Sequence, residues 1–305
     1  MSLPKDFTSD PWFDTKGRMD DEEPATPEEV HAIKNYLSKI KSAPEAAKCI
    51  MAMDESRTPL TGKDLRVAWL IFETMMRFPD EQVVLLDLVD AIYALSDDEL
   101  GLNSGVKDRY PQWPRWKSFD KFAELVDEMR RSYWAYRSTP DEDDMDPNEC
   151  FHRWTNINAL MARYYMRARE PRGWPTYGLS IITDGLEQES WKHPTLDPLS
   201  TDVSILNSDA DAASVKAEVP AAVQWILIAG EVLCSLVGDP HQTTAVPPSD
   251  LYSDTLPGLR KQRWDLWKER LLWVAEQEKL NDETKTLADK GHERMRQLEI
   301  NLRKH

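Results

Sequence analysis

A helix predicted over residues 148–170 carries the side chains best suited to contact a ligand. Its apolar face includes Trp154 and Tyr165 and also one amide, Asn158. A buried amide without a hydrogen-bond partner costs about 1–3 kcal/mol. Asn158 must therefore bond either to a ligand or to a neighbouring helix. We predict ligand binding by all three residues, with a structural hydrogen bond from Asn158 as the alternative.

A second predicted helix, 220–237, adds a carboxylate to this candidate site. Its surface is apolar except for one edge that carries Gln224, Glu231 and Ser235. A carboxylate facing a buried cavity is suited to acid–base chemistry, because desolvation favours its protonated form. We predict that Glu231 lines the opposite wall of the ligand site. The alternative is that this edge lies in solvent.

The other side of the 148–170 helix presents basic groups. His152, Arg163 and Arg167 lie along it, next to Asn156. This pattern predicts a stripe that binds an anion or an acidic partner. The alternative is pairing with acidic helices of the same protein.

No motif assigns a catalytic residue, a metal or a cofactor. The six histidines are scattered, and the sequence has no Gly-rich phosphate loop and no G-x-S-x-G elbow. We therefore predict no metal site and no cofactor. The motifs favour a protein without catalysis, but they leave open whether it is an enzyme.

A class I terpene cyclase is a rival interpretation of the chain. Asp97 and Asp98 follow an apolar helix, as the magnesium-binding aspartates of those enzymes do. The companion motif is missing, because NDETKTLAD has Lys285 where a hydroxyl is needed.

Composition limits the partners. The net charge of −16 and the pI near 4.9 disfavour binding to nucleic acid or to anionic membranes. The three cysteines, Cys49, Cys150 and Cys234, are too far apart for a zinc knuckle or a disulfide framework. The most apolar run, 220–237, is short for a membrane span. We expect a protein of the cytoplasm, or of the nucleus, with no nucleic-acid partner and no membrane span.

The pattern of the whole chain is helical. Several segments have the period of an amphipathic helix, and no segment alternates as a strand does. We predict an all-α fold, with one bundle around a buried central helix at 220–237 and a C-terminal αα-hairpin over 257–279 and 282–302. Residues 1–26 are predicted to be an acidic flexible tail and residues 27–305 a single domain. Docking of Trp12 and Phe13 on the protein's own body is the alternative for the tail.

The predicted hairpin helix 257–279 is rich in tryptophan. Trp264, Trp267, Leu271 and Val274 form one apolar stripe, and Leu259, Leu266, Trp273 and Leu280 form a second. The remaining side is charged. Two apolar stripes on one helix predict that it is wedged between neighbouring helices, so the tryptophans belong to the core.

Three segments resemble a known family. The pattern W-x-x-W-K-x-R-x-x-x-x-A-E-x-E-x-L-x-x-E-T-x-x-x-A runs from Trp264 to Ala288, AAVQWILIAGEVL occupies 221–233, and N-x-N-A-L-x-A-R occupies 156–163. They resemble a fungus-restricted family known only as a domain of unknown function, over residues 150–300. The resemblance implies a helical, intracellular protein of filamentous fungi. It supplies no reaction and no catalytic residue.

The sequence therefore favours a helical module that binds a protein or a small molecule. An enzyme of fungal specialised metabolism, with a helix-lined pocket, is the alternative. The identity of the partner and the oligomeric state are left open.

Overall fold

A computed structural model describes residues 7, 9–16, 25–51, 63–96, 128, 147–167, 174–187, 209–239, 246, 249 and 258–302. Within these residues the protein has nine α-helices, two short 3-10 helices and no β-strand, apart from an isolated bridge between Val237 and Leu259. The all-α prediction is confirmed. Asp97 and Asp98 lie outside the described residues.

Contacts between helices divide the chain into two compact units, Met1–Ser132 and Tyr133–His305. The N-terminal unit contains α1 (Pro27–Leu37), α2 (Ala43–Met51), α3 (Lys63–Arg77) and α4 (Gln82–Ala94), with 3-10 helices at Pro11–Thr15 and Pro79–Glu81. The C-terminal unit contains α5 (Pro147–Arg167), α6 (Trp174–Leu186), α7 (Asp209–Ser235), α8 (Lys261–Ala275) and α9 (Asp282–Leu302). The prediction of one domain over 27–305 stays a prediction, because compact units can still fold as one cooperative domain.

The N-terminal aromatic segment packs on its own unit. Phe7 and Phe13 are both buried, and their rings lie 5.2 Å and 5.7 Å from the ring of Phe78. Trp12 contacts the same ring edge-on at 5.5 Å. An ion pair of 2.9 Å joins Lys16 to Glu73 on α3. Trp12 and Phe13 therefore pack on their own unit, as the docked alternative describes, and the extent of the tail over 1–26 stays a prediction.

The start of α1 is fixed by a cap. Thr26 and Glu29 form a capping box, in which Thr26 Oγ1 accepts from Glu29 N at 3.2 Å and Glu29 Oε2 accepts from Thr26 N at 2.8 Å. Pro27 occupies the first helical position, where its missing N–H costs nothing. The helix packs against α2 and α3.

The C-terminal unit is built around α7. Helices α5, α6 and α9 all pack against it, and Trp225 and Ile226 at its middle are fully buried. By length and composition alone, Ala212–Ser235 could cross a membrane, but 72% of its most apolar window is buried inside the protein. A core helix of a soluble protein passes the same test. The prediction of a buried central helix is confirmed.

Helix α7 begins earlier than the sequence predicts. Pro220 is expected as its first residue, yet the helix starts at Asp209 and carries Pro220 in its interior. An interior proline removes one helical hydrogen bond and costs about 3 kcal/mol. Pro220 and its neighbours Val219 and Ala221 are all buried, and this burial favours helix across the proline.

The C-terminal hairpin is also confirmed. Helices α8 and α9 pack against each other, and Asn281 Oδ1 caps α9 by accepting from Thr284 N at 3.0 Å. Both predicted stripes are buried, with Trp264 and Trp267 at 1% and 0% exposure. Leu259 and Leu280 of the second stripe lie just outside α8, which is shorter than the predicted helix 257–279. The tryptophans therefore belong to the core, as their spacing predicts.

One polar cluster ties the two hairpin helices together. Glu299 on α9 accepts from Trp264 Nε1 at 3.0 Å and from Lys268 Nζ at 2.7 Å. Burial opposes ionisation of Glu299, but the hydrogen bond and charge of Lys268, together with Trp264 and Lys261, outweigh it and lower its pKa. The ionised carboxylate is thus favoured by the folded state.

This lowered pKa predicts how the stability depends on pH. A carboxyl group with a lower pKa in the folded state stabilises the fold above its unfolded pKa, and this contribution is lost as the pH falls through the folded pKa. We expect Glu299→Gln to destabilise the protein at pH 7. The gap in melting temperature between wild type and variant should close at a pH below the ordinary value of 4.5. Thermal melts across the acid range measure this gap, and a gap independent of pH would contradict the assignment.

Candidate functional site

The amide of Asn158 is fully buried and hydrogen-bonded within the protein. Its Nδ2 donates to Trp154 O at 2.9 Å, one turn earlier on α5. Its Oδ1 accepts from Trp225 Nε1 on α7 at 3.0 Å and from Tyr177 Oη on α6 at 3.5 Å. The amide therefore joins three helices of the C-terminal unit.

Aromatic rings pack against Trp225, which donates to this amide. The rings of Tyr165 and Tyr177 lie 6.0 Å and 5.6 Å from that of Trp225, and Trp154 is 1% exposed. Close approach of α6 requires glycine, since a Cβ on Gly178 would lie 2.6 Å from Cε3 of Trp225. Asn158 and Tyr165 therefore both contact Trp225, and Asn158 meets Trp154 through the backbone oxygen of Trp154.

Glu231 lies elsewhere. Its side chain is 77% exposed, and its Oε1 accepts from Arg294 Nη2 on α9 at 3.1 Å. Residue 231 is six positions after Trp225 on the same helix, which places it about 120° around the axis. Glu231 and Asn158 therefore do not face each other across a cavity. Ligand binding by the four predicted residues stays a prediction, and the geometry favours the structural alternatives for Asn158 and Glu231.

The basic stripe of α5 is only partly at the surface. His152 is exposed, and its Nδ1 lies 3.5 Å from Glu283 Oε1 on α9. Arg163 and Arg167 are half-buried further along the helix. His152 pairs with an acidic helix of its own unit, which is the alternative that the sequence left open.

His152 also lines a cleft that joins three helices. The lining residues come from the start of α5 (Asn148, Phe151, His152 and Thr155), from the middle of α7 (Lys216 and Pro220) and from the start of α9 (Asn281, Glu283 and Thr284). The cleft is shallow and open to solvent. His152 is a sequence-predicted site residue, and the other predicted site residues do not appear in this lining.

The chemistry of the cleft is polar with both signs of charge. Lys216 and His152 supply basic groups, and Glu283 supplies a carboxylate. Pro220 has no N–H, so the carbonyl oxygen of Lys216 lacks its donor from four residues later and can accept from another group. The N-terminus of α9 adds a positive helix-dipole end. Phe151 and Pro220 provide apolar surface for a ligand to pack on.

A buried ionic network was not predicted. Glu187 directly follows α6, and its side chain is 0% exposed. Its two oxygens accept from Arg263 Nη2 at 2.7 Å and from Arg263 Nε at 2.9 Å, and Oε1 accepts from Trp267 Nε1 at 2.6 Å. Ser249 Oγ donates to Oε2, and Arg263 Nη2 also donates to Thr183 Oγ1 at 3.2 Å.

One signal in the sequence could have indicated this network. On α8, Arg263 and Arg270 are seven residues apart and fall between the two apolar stripes, not on the charged side. Both are buried. Burial lowers the pKa of Arg270 to about 10, although the charge of Glu187 acts in the opposite direction. Arginines in the middle of a buried arc need a carboxylate partner, and Glu187 provides it for Arg263.

The fold and site define an all-α protein with a solvent-open polar cleft and a buried ionic network. Within the described residues, no group of three or more His, Cys, Asp or Glu side chains could hold a metal ion. The chain belongs to the family described as Protein of unknown function (DUF3632), whose model matches residues 69–271. No curated protein and no solved structure matches the chain.

The family match differs in extent from the predicted resemblance. It begins before residue 150 and ends within α8. The blocks at 156–163 and 221–233 therefore lie inside it, whereas most of the Trp264–Ala288 pattern lies beyond it.

The Asn158 hydrogen bonds predict the effect of an apolar substitution. Asn158→Leu would leave the Trp225 indole N–H without its acceptor, and we expect a loss of about 1–3 kcal/mol in unfolding free energy. Trp225→Phe removes that donor. It should therefore lower the unfolding free energy less in the Asn158→Leu variant than in the wild type. Urea denaturation of the four proteins measures both effects. If the loss of unfolding free energy in the double variant equals the sum of the two single losses, the two side chains are not coupled.

The Glu187 network predicts a large asymmetry between two glutamates. Glu187→Gln removes the charge opposite buried Arg263, and we expect a loss of about 3–5 kcal/mol. Glu231→Gln is the matched control, because it breaks an exposed ion pair and should hardly change the melting temperature. Equal melting temperatures for the two variants would show that Glu187 is not a buried anchor.

Proposed function

We propose that the protein is a binding module without catalysis of its own, and that its ligand is a small zwitterion such as a free amino acid. The supporting observation is the cleft between α5, α7 and α9, which combines basic and acidic groups on an apolar floor. Lys216 and His152 suit a carboxylate, and Glu283 suits an ammonium. Ligand sites commonly have this form, with a few placed polar groups on an apolar lining.

The electrostatics of the cleft support an anionic end of the ligand near Lys216 on α7. Lys216 is half-buried, so its charge is less screened than that of a fully exposed lysine. The contact between His152 and Glu283, 3.5 Å between exposed side chains, is weak enough for a zwitterion to replace it with two pairs of its own.

We also propose a location in the cytoplasm or nucleus and no nucleic-acid or membrane partner. The net charge of −16 repels phosphate groups. Cys49, Cys150 and Cys234 are free cysteines, as is usual in a reducing compartment.

Thermal-shift titration with the free amino acids tests the proposed ligand. A ligand that binds the folded state stabilises it by about 2.7 kcal/mol at a concentration of 100 times its Kd. We expect at least one amino acid to raise the melting temperature at millimolar concentration, and Lys216→Gln to abolish the shift. Lys290→Gln, an exposed lysine on α9 away from the cleft, is the control and should retain it.

Two results would contradict the proposal. The first is no shift with any amino acid, and the second is a shift that Lys216→Gln leaves unchanged. The alternative, an enzyme of specialised metabolism, would instead convert the bound compound, which NMR of the incubated mixture detects.

A further inference from the structure

The connection between α1 and α2 places a lysine amine against a cysteine sulfur. Lys41 Nζ lies 2.8 Å from Cys49 Sγ, which is the separation of an ordinary N–H···O hydrogen bond. Sulfur is a larger atom than oxygen, so a hydrogen bond to sulfur is ordinarily longer than one to oxygen. The distance between Lys41 Nζ and Cys49 Sγ is therefore short for a hydrogen bond to sulfur. The two atoms are close enough to react if the sulfur becomes electrophilic.

The backbone holds Lys41 in this position. Lys39 has a left-handed φ of 59°, which reverses the chain at the end of α1. Ile40 N and Lys41 N both donate to Asn35 O, at 2.8 Å and 3.2 Å, and Lys39 N donates to Tyr36 O at 2.9 Å. A non-glycine residue adopts a left-handed φ at a cost that the surrounding bonds must offset. The loop is therefore fixed, and it directs Lys41 toward α2.

The start of α2 is fixed as well. Glu45 Oε2 accepts from Ser42 N at 2.8 Å and from Ser42 Oγ at 2.6 Å. These bonds, and in smaller part the charge of Lys41, lower the pKa of Glu45. Cys49 lies one turn after Glu45, on the same face of α2. Lys41 is thus positioned near a carboxylate and in contact with the sulfur.

Cys49 is also accessible to solvent, whereas Cys234 is buried. Cys49 is half-buried, so a small oxidant can reach its sulfur. Cys234 is 4% exposed, and burial, with the charge of Glu299, raises the pKa of its thiol. A thiol held protonated in the interior reacts slowly with peroxide. Cys150, half-buried on α5, serves as an internal comparison.

We propose that Lys41 and Cys49 form an oxidative modification site, at which hydrogen peroxide joins the two side chains through an N–S bond. In the first step, the Cys49 sulfur takes one oxygen from peroxide, giving a sulfenic acid and one water. In the second step, the neutral amine of Lys41 attacks that sulfur, an N–S bond forms, the S–O bond breaks, and the hydroxyl leaves with an amine proton as a second water. The pair has then lost two hydrogens and two electrons, and one peroxide has become two waters.

The product is a sulfenamide, a reversible state of an oxidised cysteine. A thiol reductant attacks the sulfur, which releases the Lys41 amine and leaves a mixed disulfide on Cys49. A second reductant thiol then breaks this disulfide, so that the Cys49 thiol is regenerated and the two reductant sulfurs are joined. The crosslink protects the sulfur from further oxidation to the irreversible sulfinic acid. It also ties α2 covalently to the end of α1 in the N-terminal unit.

Mass spectrometry of the full-length protein after peroxide treatment tests this proposal. We expect the intact mass to fall by two hydrogens and to recover with a thiol reductant. Non-reducing peptide mapping should join the peptide of Lys41 to that of Cys49. Lys41→Arg keeps the charge but removes the primary amine, so it should abolish the crosslink. In this variant the sulfenic acid should persist and react with dimedone at Cys49.

Lys48→Arg is the matched control, because it changes the lysine adjacent to Cys49 in sequence and should leave the crosslink intact. The proposal is overturned if wild-type Cys49 proceeds directly to sulfinic acid, or if the lost hydrogens map to a disulfide with Cys150. It is also overturned if the link retains an oxygen, since the condensation step then does not occur. Far-UV circular dichroism establishes that both lysine variants are folded.

Discussion

The C-terminal unit depends on the buried ion pair between Glu187 and Arg263, together with the other hydrogen bonds to the Glu187 carboxylate. This carboxylate accepts two hydrogen bonds from Arg263, one from Trp267 and one from Ser249. Removing a carboxylate from water costs several kcal/mol, and such a cost is offset only by good geometry and by hydrogen bonds to its oxygens. The network meets both conditions. It allows α8 to bury the arc between its two apolar stripes, although arginine occupies the middle of that arc.

The position of α8 determines the position of α9 and hence of the cleft. Gly291 on α9 packs between α7 and α8, where a Cβ would lie 3.1 Å from Val223 and 3.2 Å from Leu271. Glu299 holds the other end of α9 to α8 through Trp264 and Lys268. The start of α9 is therefore fixed next to α5 and α7, where Asn281, Glu283 and Thr284 line the cleft. Stability of the core and geometry of the candidate site are coupled through this hairpin.

Local features were predictable from the sequence, and long-range pairings were not. Helical periodicity and caps depend on neighbours within a few residues, so the capping box at Thr26, the cap at Asn281 and the two stripes of α8 could be predicted. Arg263 and Glu187 are 76 residues apart, and Asn158 and Trp225 are 67 apart, so periodicity carries no information on either pair. The same limit applies to the cleft, whose lining comes from three separate helices. The start of α7 was predicted wrongly at Pro220 for another reason. Burial of α7 outweighs the low helix propensity of proline, so the helix continues through this residue.

A double-mutant cycle between Glu187 and Arg263 tests the central role of the network most directly. Glu187→Leu leaves the buried Arg263 without its carboxylate and also removes the acceptor of Trp267. Arg263→Met leaves the buried Glu187 without its guanidinium, whereas the double variant removes both charges. The unfolding free energies of the four proteins give the coupling between the two side chains. The account predicts a coupling of about 2–3 kcal/mol, with the double variant more stable than either single variant. Additive losses, with no coupling, would contradict it.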